Sequence, residues 1–151
     1  MSLSKLHTVF LALAIGQILF CMVTVYMVLG EGFRGVDFSR GGLLFPPAVI
    51  LLAAAGTAYA LNQLLIKRGK RLKYLVTKLQ QYAISGIVRL AIVEGGNILI
   101  LLLALLSGNL NLLIYFAVGM LVFLYFKPGL HDFASSFDLS EEEKAQLQQQ
   151  Y

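Results

Sequence analysis

The sequence predicts an all-α integral membrane protein, a four-helix bundle made of two transmembrane hairpins, and three observations predict it. The 151 residues are 58% hydrophobic and only 13% charged, where a soluble domain carries about a quarter charged residues. The apolar residues gather into four long runs instead of spreading evenly. Six of the 12 Lys and Arg residues fall in one short segment between the second and third runs.

A hydrocarbon core ~30 Å thick takes about 20 helical residues at ~1.5 Å each. The first run, residues 8–29, has no charge and is closed by Gly30-Glu31-Gly32. It is too long for a signal h-region, and no small-x-small site precedes a soluble body, so a retained span is expected. The second run, 43–66, stops at Lys67-Arg68, with Pro46 and Pro47 at or just before its first turn. A missing N–H costs least there. The third run, 84–106, contains only two charges, Arg89 and Glu94. The fourth, 110–126, is short and ends at Lys127-Pro128-Gly129. Residues 1–129 thus form one membrane domain, and 130–151 a tail.

Loop charge sets the orientation. Lys67, Arg68, Lys70, Arg71, Lys73 and Lys78 lie between spans two and three, whereas the segment 107–109 carries no charge. The positive-inside rule places the basic loop, and with it both termini, in the cytoplasm. The sequence pI of about 9.3 is therefore a topological signal, and no nucleic-acid partner is expected. Anionic headgroups are the expected neighbours of the basic patch.

Two flanking pieces read as helical. Apolar residues at Leu72, Leu75, Val76, Leu79, Tyr82 and Ala83 recur at helical spacing, so span three is expected to begin as a cytoplasmic extension. Ser140-Glu141-Glu142-Glu143 matches the S-x-x-E capping box and predicts a short helix through Gln150, with Leu139 packing on Ala145 or Leu147. Tyr26, Phe33, Phe38 and Phe45 on one side, and Tyr74, Tyr82, Tyr125 and Phe126 on the other, read as interfacial belts. Gly16-Gln17-Ile18-Leu19 resembles Gly96-Asn97-Ile98-Leu99, as in a duplicated hairpin, although the intervals between other landmarks do not match.

Little in the chain points to chemistry. The single cysteine, Cys21, sits in an apolar run as a small hydrophobe. His7 and His131 lack companions at ligand spacing, so no metal site is expected. No nucleophile–base set or phosphate loop is present, and neither an enzyme nor a cofactor is expected.

The informative residues are the polar ones inside the spans, because an ionisable group near the bilayer centre costs at least ~2.5–3.5 kcal/mol on insertion scales. If span three enters near Ile84, Glu94 lies about 15 Å in and Arg89 about half as deep, shallow enough to snorkel. The two diverge by about 140° around the helix, so each needs partners from another span. Depth then groups Glu94 with Gln17 and Asn97, and Arg89 with Asn62 or Gln63, with Tyr59 between the layers. Gly16, Gly56, Gly95, Gly96 and Gly119, with Ala53, Ala54, Ala55, Ala58, Ala60 and Ala91, are expected to let helices approach closely, chiefly within the chain.

Arg89-Leu-Ala-Ile-Val-Glu94-Gly95, the run to Ser107-Gly108-Asn109, Phe126-Lys127-Pro128 and the tail Asp138-Leu139-Ser140-Glu141-Glu142-Glu143, with the basic cluster after span two, form a pattern. Together they resemble an uncharacterised family of small four-span membrane proteins of Bacteroidota. The resemblance covers most of the chain and implies the fold and a bacterial inner membrane, and the family carries no assigned activity. A more distant likeness is to rotary ATPase ring subunits, hairpins with a mid-membrane carboxylate. The expected function is a non-enzymatic scaffold or accessory subunit of a membrane complex or homo-oligomer, with a buried polar layer around Glu94. The alternative is a small proton- or cation-coupled carrier or channel using Glu94.

Overall fold

The computed structural model describes residues 3–30, 47–72, 74–137, 139, 140 and 143. Among them the chain is all-helical. Its elements are α1 (Leu3–Leu29), α2 (Pro47–Gly69), α3 (Leu75–Ser107), a 3₁₀ turn (Leu110–Leu112), α4 (Leu113–Tyr125) and α5 (Leu130–Ser136). Three of these, α1, α2 and α3, are long and apolar enough to cross a membrane, and the apolar helix over Leu110–Tyr125 is shorter.

Local chemistry explains the boundaries. Proline opens α2 as its first residue, where the absent N–H has no helical partner to lose. Helix α3 runs unbroken for 33 residues, about 50 Å at the helical rise. That exceeds a hydrocarbon core, so the extension and the apolar run are one helix. Gly108 ends it with φ 64°, a left-handed position that favours glycine. Asn109 then caps the 3₁₀ turn, its side chain accepting from the Asn111 N–H at 3.0 Å.

Helix α3 is the hub, packing against α1, α2 and α4, while α2 also meets α4. Helices α1 and α3 run parallel and in step. Leu6 faces Gly86 and Gln17 faces Asn97, an offset of 80 in each case. The two tetrapeptides that resemble each other in sequence share that offset. Helix α2 runs antiparallel to α3, with Ala54 against Gly96 and Asn62 near Arg89. Helix α4 is antiparallel as well, with Gly119 against Asn97 and Phe116 against the level of Ile100 and Leu101.

Three apolar clusters stack along this axis. Leu51, Ile100, Leu101 and Phe116 form one. Phe10, Ala58, Leu90, Val93, Phe123 and Phe126 form the middle one, where the Phe10 and Phe123 rings stack at 5.1 Å. The third lies at the other end, where Leu6, Ile66, Tyr82 and Ala83 receive Phe133, Phe137 and Leu139 from the tail. The described part of the tail thus folds back onto the helix ends. Leu139, expected to pack within a tail helix, packs here instead; Ala145 and Leu147 lie outside the described residues.

Two expected belt residues are core. Tyr82 is buried within the third cluster and Phe126 within the second. Tyr26, Tyr74 and Tyr125 are exposed, whereas Phe33, Phe38 and Phe45 lie outside the described residues.

Candidate functional site

Among the described residues, the polar side chains buried in the helices are Gln17, Thr24, Asn62, Ser85, Arg89 and Asn97. Thr24 and Ser85 donate to carbonyls of their own helices, those of Phe20 and Tyr82, both at 2.9 Å. The other four join different helices, in two layers.

The first layer is an amide pair. Asn97 Nδ2 donates to Gln17 Oε1 at 2.7 Å, tying α3 to α1. Glycine makes room for it, because Asn97 Oδ1 occupies the place a Cβ on Gly119 would take. Gln17 Nε2 and Asn97 Oδ1 themselves have no hydrogen-bond partner among the described residues. Glu94, expected in this layer, is not in it. It is half-buried, and its carboxyl makes no hydrogen bond among the described residues. The reason is angular: three residues before Asn97 places it about 60° short of the face that meets Gln17.

The second layer centres on Arg89, only 3% exposed. Its Nη2 donates to Asp132 Oδ2 at 2.8 Å, and its Nη1 lies 3.4 Å from Asn62 Oδ1. The guanidinium carbon stands 5.7 Å from the ring centroids of both Tyr82 and Phe126, within cation–π range. Tyr82 completes the group. Its hydroxyl donates to Asp132 Oδ2 at 2.8 Å and accepts from the Gly129 N–H at 3.0 Å. Asp132 Oδ1 also accepts from Ser136 Oγ at 3.3 Å.

Arg89 therefore does not snorkel as depth alone predicts. It finds a counter-ion 43 positions away, on a segment assigned to the tail. Sequence reasoning missed Asp132. The available signal was the need of an arginine in an apolar helix for an acid, met by an acid followed by aromatics in Asp132-Phe133-x-x-x-Phe137.

The remaining expected residues disperse. Gln63 is half-buried, and its side-chain amide makes no hydrogen bond among the described residues. Tyr59, expected between the layers, is 57% exposed and lines an apolar groove with Ala55, Val118 and Leu121. Gly96 and Gly119 make close contacts, against Ala54 and Asn97, but a Cβ on Gly16, Gly56 or Gly95 would meet nothing within 4 Å. Those three make no close packing contact among the described residues. Lys67, Arg68, Lys70 and Arg71 are exposed, and Lys73 lies outside the described residues.

Lys78, the last residue of the basic patch, is half-buried. It forms an ion pair with Glu143 at 2.7 Å. Glu143 also closes the expected capping box, accepting from the Ser140 N–H at 3.0 Å while its own N–H donates to Ser140 Oγ at 3.2 Å. The hydrogen bond from Lys78, with lesser help from Ser140 and the Lys78 charge, holds the Glu143 carboxyl below its ordinary value against the opposing effect of burial.

Fold and site together define an all-helical protein with helices able to cross a membrane and buried polar links between them. Comparison with family models, with curated proteins and with solved structures finds no match.

Proposed function

We propose that the chain is a non-enzymatic membrane subunit, a scaffold or accessory component of a larger membrane complex, that crosses a bacterial inner membrane four times with both termini in the cytoplasm. One observation carries this reading: Gln17, Asn97, Arg89 and Asn62, buried polar groups that reach beyond their own helix, each make a hydrogen bond that joins segments of the chain. Such bonds fix helix register, each contributing roughly 0.6–2 kcal/mol in a bilayer. The orientation rests on the basic loop 67–78, and the fourth crossing on the apolar segment Leu110–Tyr125. Partners find support in Gly56, Ala60, Ala91 and Gly95, exposed small residues open to the approach of another helix.

The rival reading, a proton- or cation-coupled carrier, rests on Glu94, a half-buried carboxyl without a hydrogen-bond partner among the described residues. No second acid in the spans extends it into a relay. Substitution separates the two. Under the scaffold reading, Glu94→Gln leaves the mass of the complex in mild detergent unchanged, and the double change Gln17→Leu with Asn97→Leu reduces it. The opposite pattern would refute the scaffold. For topology, cysteines placed at Lys70 and Asn109 on a Cys21→Ser background should label from opposite faces of the membrane.

A further inference from the structure

Arg89 Nη2 and the Tyr82 hydroxyl converge on a single oxygen, Asp132 Oδ2, each at 2.8 Å. Two donors aimed at one anionic oxygen make an oxyanion site whatever molecule supplies the oxygen. Here the chain supplies its own.

The pair is lopsided. The Arg89 side chain is 4% exposed and that of Asp132 39%, so the anion can leave outward while the cation stays seated. Arg89 Nε is buried and has no hydrogen-bond partner among the described residues, which leaves the guanidinium with donor capacity that one carboxylate oxygen does not use. A phosphate offers more acceptor oxygens in a geometry arginine matches.

The segment that bears Asp132 is attached as a strap. Lys127, Pro128 and Gly129 are non-helical between α4 and α5. Beyond them, Phe133, Phe137 and Leu139 lie on Leu6, Ile66 and Tyr82, and the Phe137 ring fills the place a Cβ on Gly69 would need. A second clasp, Lys78 with Glu143, holds its far end. The contact at Ile66 and Gly69 brackets Lys67 and Arg68, both exposed, which gather anionic headgroups at a membrane surface.

We propose that Arg89 and Tyr82 form a binding site for the phosphate of an anionic lipid headgroup, closed in this structure by Asp132, and that headgroup binding releases the strap, α5 with Phe137 and Leu139, from the helix ends. This rests on the membrane reading above and names a ligand for its cytoplasmic face. The lipid is favoured over free phosphate because the basic loop concentrates headgroups beside the site. Both carboxylate clasps then face the same competitor.

Phe133 and Phe137 are buried when the strap is closed, so chymotrypsin cleavage after them reports opening. The full chain is reconstituted in phosphatidylcholine vesicles or in vesicles rich in phosphatidylglycerol. Cleavage should be slow in the first and several-fold faster in the second. Asp132→Asn, and independently Gly69→Val, which evicts Phe137 without touching a charge, should be cleaved fast in both. Equal wild-type rates in the two lipids would overturn the proposal. Opening by inorganic phosphate in phosphatidylcholine alone would overturn the lipid assignment. In detergent, fast cleavage of Asp132→Asn supports the clasp irrespective of topology, and wild-type-like protection would overturn it. A chain that fails to insert into vesicles counts instead against the membrane reading.

Discussion

Gln17 on α1 and Asn97 on α3 meet at 2.7 Å between two parallel helices that run in step with an offset of 80 residues. Both are almost wholly buried. Either change alone, Gln17→Leu or Asn97→Leu, strands an amide and should cost about 1–3 kcal/mol. Replacing both should cost less than the sum, because no amide is left without its partner. Midpoints of unfolding in mixed micelles, read as a double-mutant cycle, check this.

The glycines divide by what surrounds them. Gly119→Ala drives a methyl into the Asn97 carboxamide, and Gly96→Ala meets the Ala54 methyl at 2.7 Å. Each should destabilise by about 1–3 kcal/mol. At Gly16, Gly56 and Gly95 an added methyl meets nothing within 4 Å, so alanine should stabilise the isolated chain by up to about 1 kcal/mol through helix propensity. Thermal aggregation temperatures of the five variants in detergent should fall into these two groups.

Asp132→Asn leaves Arg89 buried without its counter-ion. Removing one partner of a fully buried pair costs about 3–5 kcal/mol; with Asp132 39% exposed, the loss should be nearer about 2 kcal/mol. Glu143→Gln leaves a cation that is less deeply buried, Lys78 at 12% against Arg89 at 4%, and should cost less. Comparing the unfolding midpoints of the two variants ranks the clasps.

Glu143 also makes strap closure depend on pH. Its carboxyl titrates below the ordinary value because Lys78 donates to it. A depressed folded-state value gives stability that is present above the unfolded value and lost as pH falls through the folded one. Cleavage of the tail should therefore rise as pH drops below the ordinary carboxylate range, and added salt should raise it at neutral pH. Glu143→Gln should abolish that part of the response.

Much of the scaffold was legible because hydropathy and punctuation act locally. Pro47, Gly108 and the Ser140–Glu143 box lie where local rules put them, and the helical extension before Ile84 follows from spacing alone. Depth was legible too: Gln17 and Asn97 share a level, as do Arg89 and Asn62. Direction around the helix was not. Glu94 and Asn97 are less than a turn apart, yet only Asn97 faces α1, and which face turns inward depends on how α1, α2 and α4 surround α3. Asp132 was invisible for a related reason. The polar break at Lys127-Pro128-Gly129 reads as the end of the membrane domain, and nothing local says that the chain then turns back to Arg89.

The central claim is that the buried polar groups hold this bundle together and do not carry ions. Proton flux into liposomes containing the wild-type chain or Glu94→Gln tests it most directly, with incorporation verified in both. The account predicts the same rate for the two proteins, no greater than for empty vesicles under a membrane potential. A wild-type flux that Glu94→Gln abolishes would contradict it and establish Glu94 as a conducting site.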